Sequence, residues 1–183
     1  MKSKIWEEKR ASHLRLIQSS FDTKFQYKQN GNRVDVKMNQ QDKQIVKLQS
    51  MLLSSLIQQT TLPGMSEPIQ FPDILHLRNQ DIIYVSSENI KADLLRESLP
   101  NLEIEILNET MLKSKAVENR DIYYLSLRKP TVTENEIRII SDLKMCPSEK
   151  NIPPLSLGAV LIIFQQNSAG EWIVNDSPSA IAM

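Results

Sequence analysis

The chain has 183 residues, of which 40% are apolar, and this length suits one ordinary domain with a sizeable core. Its 22 basic and 22 acidic residues cancel, so no global electric field favours nucleic acid or an anionic membrane surface. Cys146 is the single cysteine, which excludes an intrachain disulfide. We therefore expect one α+β domain over residues 1–183, with a candidate inner boundary at 60–68.

The first sixty residues predict a helix, a β-hairpin and a second helix. Apolar residues recur at helical spacing over 4–20 and predict an amphipathic helix. Asn30-Gly31 is the preferred central pair of a type I′ turn and predicts a hairpin over 24–38. A wide apolar stripe over about 40–59 predicts the main core helix.

A loop, a buried strand and a short helix are predicted next. The stretch at 60–68 concentrates proline, glycine and serine, which is typical of a loop, with a hinge between the halves 1–60 and 69–183 as the alternative. Residues 81–87 form a short, nearly continuous apolar run that favours a strand covered on both faces. Ser86 or Ser87 is the predicted N-cap of the helix that follows.

The next segment repeats the strand and helix order. Residues 102–107 alternate strictly, with leucine and isoleucine pointing inward and Glu103 and Glu105 outward. Asn108 is the predicted cap of a helix through about residue 118. Because strands that alternate with helices are typical of parallel crossover units, we expect part of the sheet to be parallel.

From residue 121 onward the pattern is antiparallel. Four strands are predicted, over 121–128, 135–145, 157–165 and 171–176. Gly170 is available for a turn between the last two, and three prolines exclude regular structure between Met145 and Leu157. The expected fold is α+β: a largely antiparallel or mixed β-sheet with helices packed on one face, preceded by a helix–β-hairpin–helix N-terminal segment.

A run reading YYLSLRKP and a later hairpin reading FQQNSAGEWIV lie within residues 122–174. This region resembles the C-terminal β-meander of uncharacterised bacterial α+β proteins. The spacing from Ser126 to Pro130 is longer than in that pattern, and the loop lacks its glycines and second cysteine. The resemblance implies a protein that is often exported or lipid-anchored and mostly without known activity. A Gly-x-Trp hairpin is also found in NTF2-like pocket domains.

Few residues offer catalytic chemistry. His13 and His76 are the only histidines and have no companion ligands at a recognisable spacing, so we predict no metal site and no cofactor. Cys146 is predicted to lie in a loop, where it would need a distant histidine as its base; a buried or idle thiol is the favoured interpretation. Glu103 and Glu105 are expected on a solvated sheet face rather than flanking a sugar.

Two groups of side chains are candidates for binding. A ligand cavity could be lined by the aromatic residues of the second half, Tyr84, Tyr123, Tyr124, Phe164 and Trp172. The favoured alternative is core packing, which explains Phe164 and Trp172 without a ligand. The irregular segment 146–156 carries Ile152 and Leu155 and could present them, beside Cys146, to a protein partner; a crossover packed on its own domain is the favoured alternative.

Three function classes follow from these candidates. The first is a non-enzymatic binding or interaction protein, such as an extracytoplasmic accessory or immunity-type protein. The alternative is an NTF2-like pocket protein that binds or turns over a small apolar molecule, and the third is a hydrolase that uses Cys146. No apolar run approaches the roughly 20 residues of a membrane helix. The N-terminus lacks the apolar segment of a signal peptide, although a mature chain whose export signal was removed would show the same sequence.

Overall fold

The structure is a computed structural model, and it describes residues 40–71, 73–100, 102–174 and 179–181. The backbone divides into two units, residues 1–37 and 38–183, and every described residue belongs to the second unit. The helix predicted over 4–20 and the hairpin predicted over 24–38 lie outside the described residues. Within the second unit the α+β class is confirmed.

The described residues form four helices and eight strands. The helices are α1 (Gln40–Gln58), α2 (Ile74–Arg78), α3 (Ala92–Ser98) and α4 (Glu109–Asn119). The strands are β1 (Ile83–Ser86), β2 (Ile104–Leu107), β3 (Ile122–Leu127), β4 (Thr131–Val132), β5 (Glu136–Cys146), β6 (Leu155–Gln166), β7 (Trp172–Val174) and β8 (Ser179–Ile181). The predicted core helix, the two predicted crossover strands and the four later strands are all present, whereas α2, β4 and β8 were not predicted.

All eight strands belong to one mixed sheet. Its order is β2-β1-β3-β5-β6-β7, with β4 paired to β5 and β8 paired to β6. Strand β1 pairs in parallel with both β2 and β3, and every other described pairing is antiparallel. The parallel part arises because α3 and α4 each carry the chain back to the starting edge of the sheet between successive strands.

The helices lie on both faces of the sheet. Helices α1, α2 and α3 cover one face, where Leu52 and Leu56 of α1 pack with Val85, Leu125 and other strand residues. Helix α4 covers the opposite face over β1 and β3. The expectation of helices on one face thus holds for three of the four. Since β2 and β3 flank β1 on opposite sides, two right-handed crossovers place α3 and α4 on opposite faces.

The predicted cap of α3 is wrong. The helix begins at Ala92, after a loop, and its N-cap residue Lys91 makes no side-chain capping bond. Ser86 is still part of β1, and its hydroxyl accepts a hydrogen bond from the backbone N–H of Glu88 at 3.3 Å. The serine therefore stabilises the turn that leaves the strand instead of the helix that follows.

The second crossover follows the predicted pattern closely. Ile104 and Ile106 of β2 pack on the side of α1 to α3, while Glu105 points to the α4 side and pairs with Lys115 at 3.2 Å. Asn108 caps α4 as predicted, because its side chain accepts a backbone N–H from the first turn at 2.9 Å. Local sequence is thus sufficient to specify this unit.

The segment 60–68 contains neither helix nor strand and is attached to the end of β7. The backbone N–H of Val174 donates to the carbonyl of Pro63 at 2.8 Å. Gly64 has a φ of +88° and lies so close to Val174 that a Cβ built on it would be 2.6 Å from the Val174 carbonyl oxygen. This close approach requires glycine at position 64.

Candidate functional site

Three of the predicted site residues, Tyr84, Tyr124 and Cys146, come together beneath α4. All three are buried, in a cluster with Leu112 and Ala116 of the helix. Cys146 is fully buried and is the last residue of β5, so the prediction that it lies in a solvent-accessible loop is wrong. Burial raises the pKa of the Cys146 thiol and of the Tyr124 hydroxyl. A neutral, enclosed thiol is a poor nucleophile, so this cluster is a packing core.

The other predicted aromatic residues lie on the opposite face. Tyr123 stacks on His76, with ring centroids 4.8 Å apart. The Gln80 side chain donates to the Tyr123 carbonyl at 2.8 Å and accepts the Tyr123 N–H at 2.7 Å. Phe164 is fully buried and Trp172 is partly buried against the same core. The five aromatic side chains are therefore divided between two faces and do not line one cavity.

The predicted binding segment, 146–156, borders an open cleft of about 640 Å³ beside α4. Ile152 is half-buried, and Leu155, the first residue of β6, is 44% exposed. Asp121 fixes the segment by accepting hydrogen bonds from the backbone N–H and the hydroxyl of Ser148 at 2.8 and 3.0 Å. These bonds hold the pKa of the Asp121 carboxyl below its usual value. Most of the residues that line the cleft are charged or polar.

A second open cavity, of about 380 Å³, lies at the carboxyl ends of β1 and β3. The strand order reverses at this point, because the chain passes from β1 to β2 on one side and then to β3 on the other. In open sheets with parallel strands, ligands bind in the crevice beyond the carboxyl ends at such a reversal. We call this cavity the switch-point crevice; its walls include Glu88, Asn89, Ser126, Arg128, Asp142 and Lys144.

A rigid ion pair occupies one wall of the switch-point crevice. Arg128 Nε donates to Asp142 Oδ2 at 2.9 Å, and Arg128 Nη2 donates to Asp142 Oδ1 at 2.7 Å. The Asp142 side chain is 4% exposed, whereas that of Arg128 is 52% exposed. The hydrogen bonds and the charge of Asp142 raise the pKa of the Arg128 guanidinium. A bidentate pair of this kind fixes the plane of the guanidinium.

A second part of the wall is formed by Asn89, on the loop after β1. Its φ is +57°, a left-handed conformation that asparagine tolerates better than most residues. The Asn89 side chain donates to the Leu127 carbonyl at 3.0 Å, and the Gln49 side chain of α1 donates to the Asn89 carbonyl at 3.1 Å. The loop after β1 is thereby attached to both β3 and α1, so the crevice is preformed.

Sequence reasoning missed this crevice, although two signals were present. Asp142 is a carboxylate inside a strand that is otherwise rich in isoleucine and leucine, and Arg128 is the last residue of the strand predicted over 121–128. An acidic residue in a buried strand usually has a cationic partner. The sequence did not identify Arg128 as the partner of Asp142, because this contact depends on how β3 pairs with β5. In that pairing Ser126 lies opposite Asp142, which brings Arg128 within reach of the carboxylate.

No family model matches the chain, and no curated protein or solved structure is significantly similar to it. The resemblance of residues 122–174 to bacterial β-meanders therefore stays a prediction. Over the described ranges, no cluster of three or more histidine, cysteine, aspartate or glutamate residues could hold a metal ion. None of the helices in that part of the chain is long and apolar enough to cross a membrane.

Proposed function

We propose that this chain is a non-enzymatic binding protein and that it holds a small polar molecule in the switch-point crevice. The observation that carries the proposal is a concave polar site whose wall is fixed in two places. Asn89 secures one part of the wall and the Arg128–Asp142 pair secures another, while the cavity of about 380 Å³ stays open to solvent. A preformed site of this size, at a reversal of strand order, is typical of small-molecule binding.

Binding is favoured over catalysis because the reactive groups are engaged in packing or pairing. The Cys146 thiol is enclosed beneath α4, and its pKa is raised by burial, which opposes the thiolate that a nucleophile requires. The Asp142 carboxylate accepts two hydrogen bonds from Arg128 and is nearly inaccessible to solvent. It is therefore not available to remove a proton from a ligand.

The proposal is tested by thermal stabilisation with a library of small molecules that contains both polar metabolites and apolar compounds. A ligand that binds only the folded chain raises its melting temperature, and the rise continues with the logarithm of the ligand concentration above the dissociation constant. Ser156 is exposed on the crevice wall and Ser168 is exposed in the turn between β6 and β7. We expect ligands that stabilise the wild type and Ser168→Trp to have no effect on Ser156→Trp. Equal stabilisation of both variants would place the binding elsewhere, and a hit confined to apolar molecules would support the pocket-protein alternative.

A protein partner on the surface of α4 is a second candidate function. Met111 and Val117 of α4 are 50% and 44% exposed, and they are two of the four large apolar side chains that are exposed among the described residues. Exposed apolar side chains are the usual anchors of protein interfaces. The test is a pull-down in which a stoichiometric partner is retained by the wild type and lost by Met111→Ser/Val117→Ser. Retention by both would exclude this surface.

A further inference from the structure

We infer that the switch-point crevice binds an oxyanion, the carboxylate or phosphate group of a small molecule, through the outer edge of the Arg128 guanidinium. This inference rests on the proposed function, which places a ligand in the crevice, and it adds the chemical class of that ligand. It depends on three features of the crevice: the free donors of Arg128, the position of Asp142 and the charge of the walls.

Arg128 has donors left after its pairing with Asp142. A guanidinium carries five N–H groups, and Asp142 takes one from Nε and one from Nη2. The edge formed by Nη1 and the second N–H of Nη2 has no hydrogen-bond acceptor among the residues that the structure describes. That edge matches the spacing of two oxygens in a carboxylate or phosphate. With the side chain 52% exposed, the edge is accessible to a ligand.

Asp142 acts as a positioning residue for this edge. Its side chain is 4% exposed and so lies in the wall beneath the guanidinium, on the side away from solvent. The backbone N–H of Arg128 also donates to the Ile140 carbonyl at 3.0 Å, which extends the pairing of β3 with β5 to the base of the side chain. An arginine that is already ordered loses less conformational entropy when a ligand binds than a free one does.

The charges in the crevice favour an anion. Arg128 and Asp142 offset each other as a pair, and Lys129 and Lys144 supply two positive charges against the single negative charge of Glu88. The walls therefore carry one excess positive charge, which an oxyanion neutralises and a neutral ligand does not. A cavity of about 380 Å³ limits the ligand to a small molecule.

The experiment is an NMR titration at constant ionic strength with inorganic phosphate, with malonate and with glycerol as the neutral probe. We expect phosphate, malonate or both to shift the Arg128 side-chain and backbone resonances to saturation, and glycerol to leave them unchanged. Phosphate alone would indicate a phosphorylated ligand, and malonate alone would indicate a carboxylic acid. The inference is overturned if neither anion shifts these resonances.

Variants separate the guanidinium edge from general surface charge. Arg128→Gln leaves a buried carboxylate unpaired, so the double variant Arg128→Gln/Asp142→Asn replaces the ion pair by a neutral one and keeps the fold testable. We expect the double variant to weaken anion binding by about tenfold or more. A factor of about ten in the dissociation constant is the usual contribution of a hydrogen bond to a charged group. Arg138→Gln is the matched control, because Arg138 also pairs with a carboxylate, that of Glu136, and its side chain is also 52% exposed.

Each outcome of the variant test is decisive. Loss of anion binding in the double variant but not in Arg138→Gln supports the inference, and an equal loss in both overturns it. Asp142→Asn alone keeps the arginine, removes its charged anchor and adds one net positive charge to the walls. Weaker anion binding than in the wild type would support Asp142 as a positioning residue, and binding as tight or tighter would exclude that role. If a neutral polar molecule binds in the crevice and is excluded by Ser156→Trp, the proposed function stands while the oxyanion inference fails.

Discussion

Replacing Gly64 with alanine should destabilise the protein well beyond the usual cost of a surface substitution. Gly64 has a φ of +88°, and a Cβ there would lie 2.6 Å from the Val174 carbonyl oxygen and 3.2 Å from the Ile173 Cβ. The left-handed conformation costs an alanine about 1–2 kcal/mol. The displaced backbone also weakens the bond between the Val174 N–H and the Pro63 carbonyl, worth about 1 kcal/mol.

These contributions give a total of about 2–3 kcal/mol for Gly64→Ala. For a chain of this size, each kcal/mol lowers the melting temperature by about 2–4 °C, so we expect a decrease of about 4–12 °C. Differential scanning calorimetry measures this decrease directly. Urea unfolding of the same variant should show a lower midpoint with an unchanged slope, because the native fold and the surface exposed on unfolding stay the same.

Gly170→Ala is the matched control for this prediction. Gly170 has a φ of +79°, but no heavy atom lies within 4 Å of the Cβ that alanine would add. Only the conformational cost of about 1–2 kcal/mol remains, so this variant should lose less stability than Gly64→Ala. Equal losses in the two variants would refute the close packing of the 60–68 segment on β7.

Three further predictions concern the remaining contacts. Gln80→Ala removes two hydrogen bonds to the Tyr123 backbone and should cost about 2 kcal/mol in urea unfolding; no change would contradict the pairing. The pKa of Asp121 is lowered by Ser148, so the contribution of Asp121 to stability is full above its unfolded pKa of about 3.9 and is lost as the pH falls through the lower native value. The Ser148 amide shift should titrate below that pH, and a midpoint at or above it would exclude the bond. Cys146 should resist iodoacetamide until the chain is denatured, and rapid native labelling would contradict its burial.

The parts of the fold that depend on local sequence were predictable. The apolar stripe of α1 at helical spacing, the alternation around Glu105 and the capping of α4 by Asn108 each follow from a few neighbouring residues. The alternation of strands and helices also indicated the parallel part of the sheet. The prediction of Ser86 as a helix cap was wrong because its hydroxyl instead accepts a hydrogen bond in the turn after β1. The sequence alone does not show which of these two roles, helix cap or turn acceptor, a serine takes.

The candidate site depends on contacts between distant parts of the chain, and these were not predictable. Cys146 precedes a proline and appeared to belong to the following loop, but it continues β5 by pairing with Ile122. The crevice requires the strand order β2-β1-β3-β5, which places Arg128 beside Asp142, 14 positions away in sequence. Neither the order nor the register is specified by the local pattern of any single strand.

A map of backbone amide shifts during titration with phosphate or malonate is the most direct test of binding in the switch-point crevice. We expect the largest shifts on residues 88–89 and 126–129, where the loop after β1 faces the end of β3. We also expect these shifts to disappear in Ser156→Trp and to persist in Ser168→Trp. Shifts that instead fall on α4 and residues 147–155, or that are unaffected by Ser156→Trp, would contradict binding in the switch-point crevice.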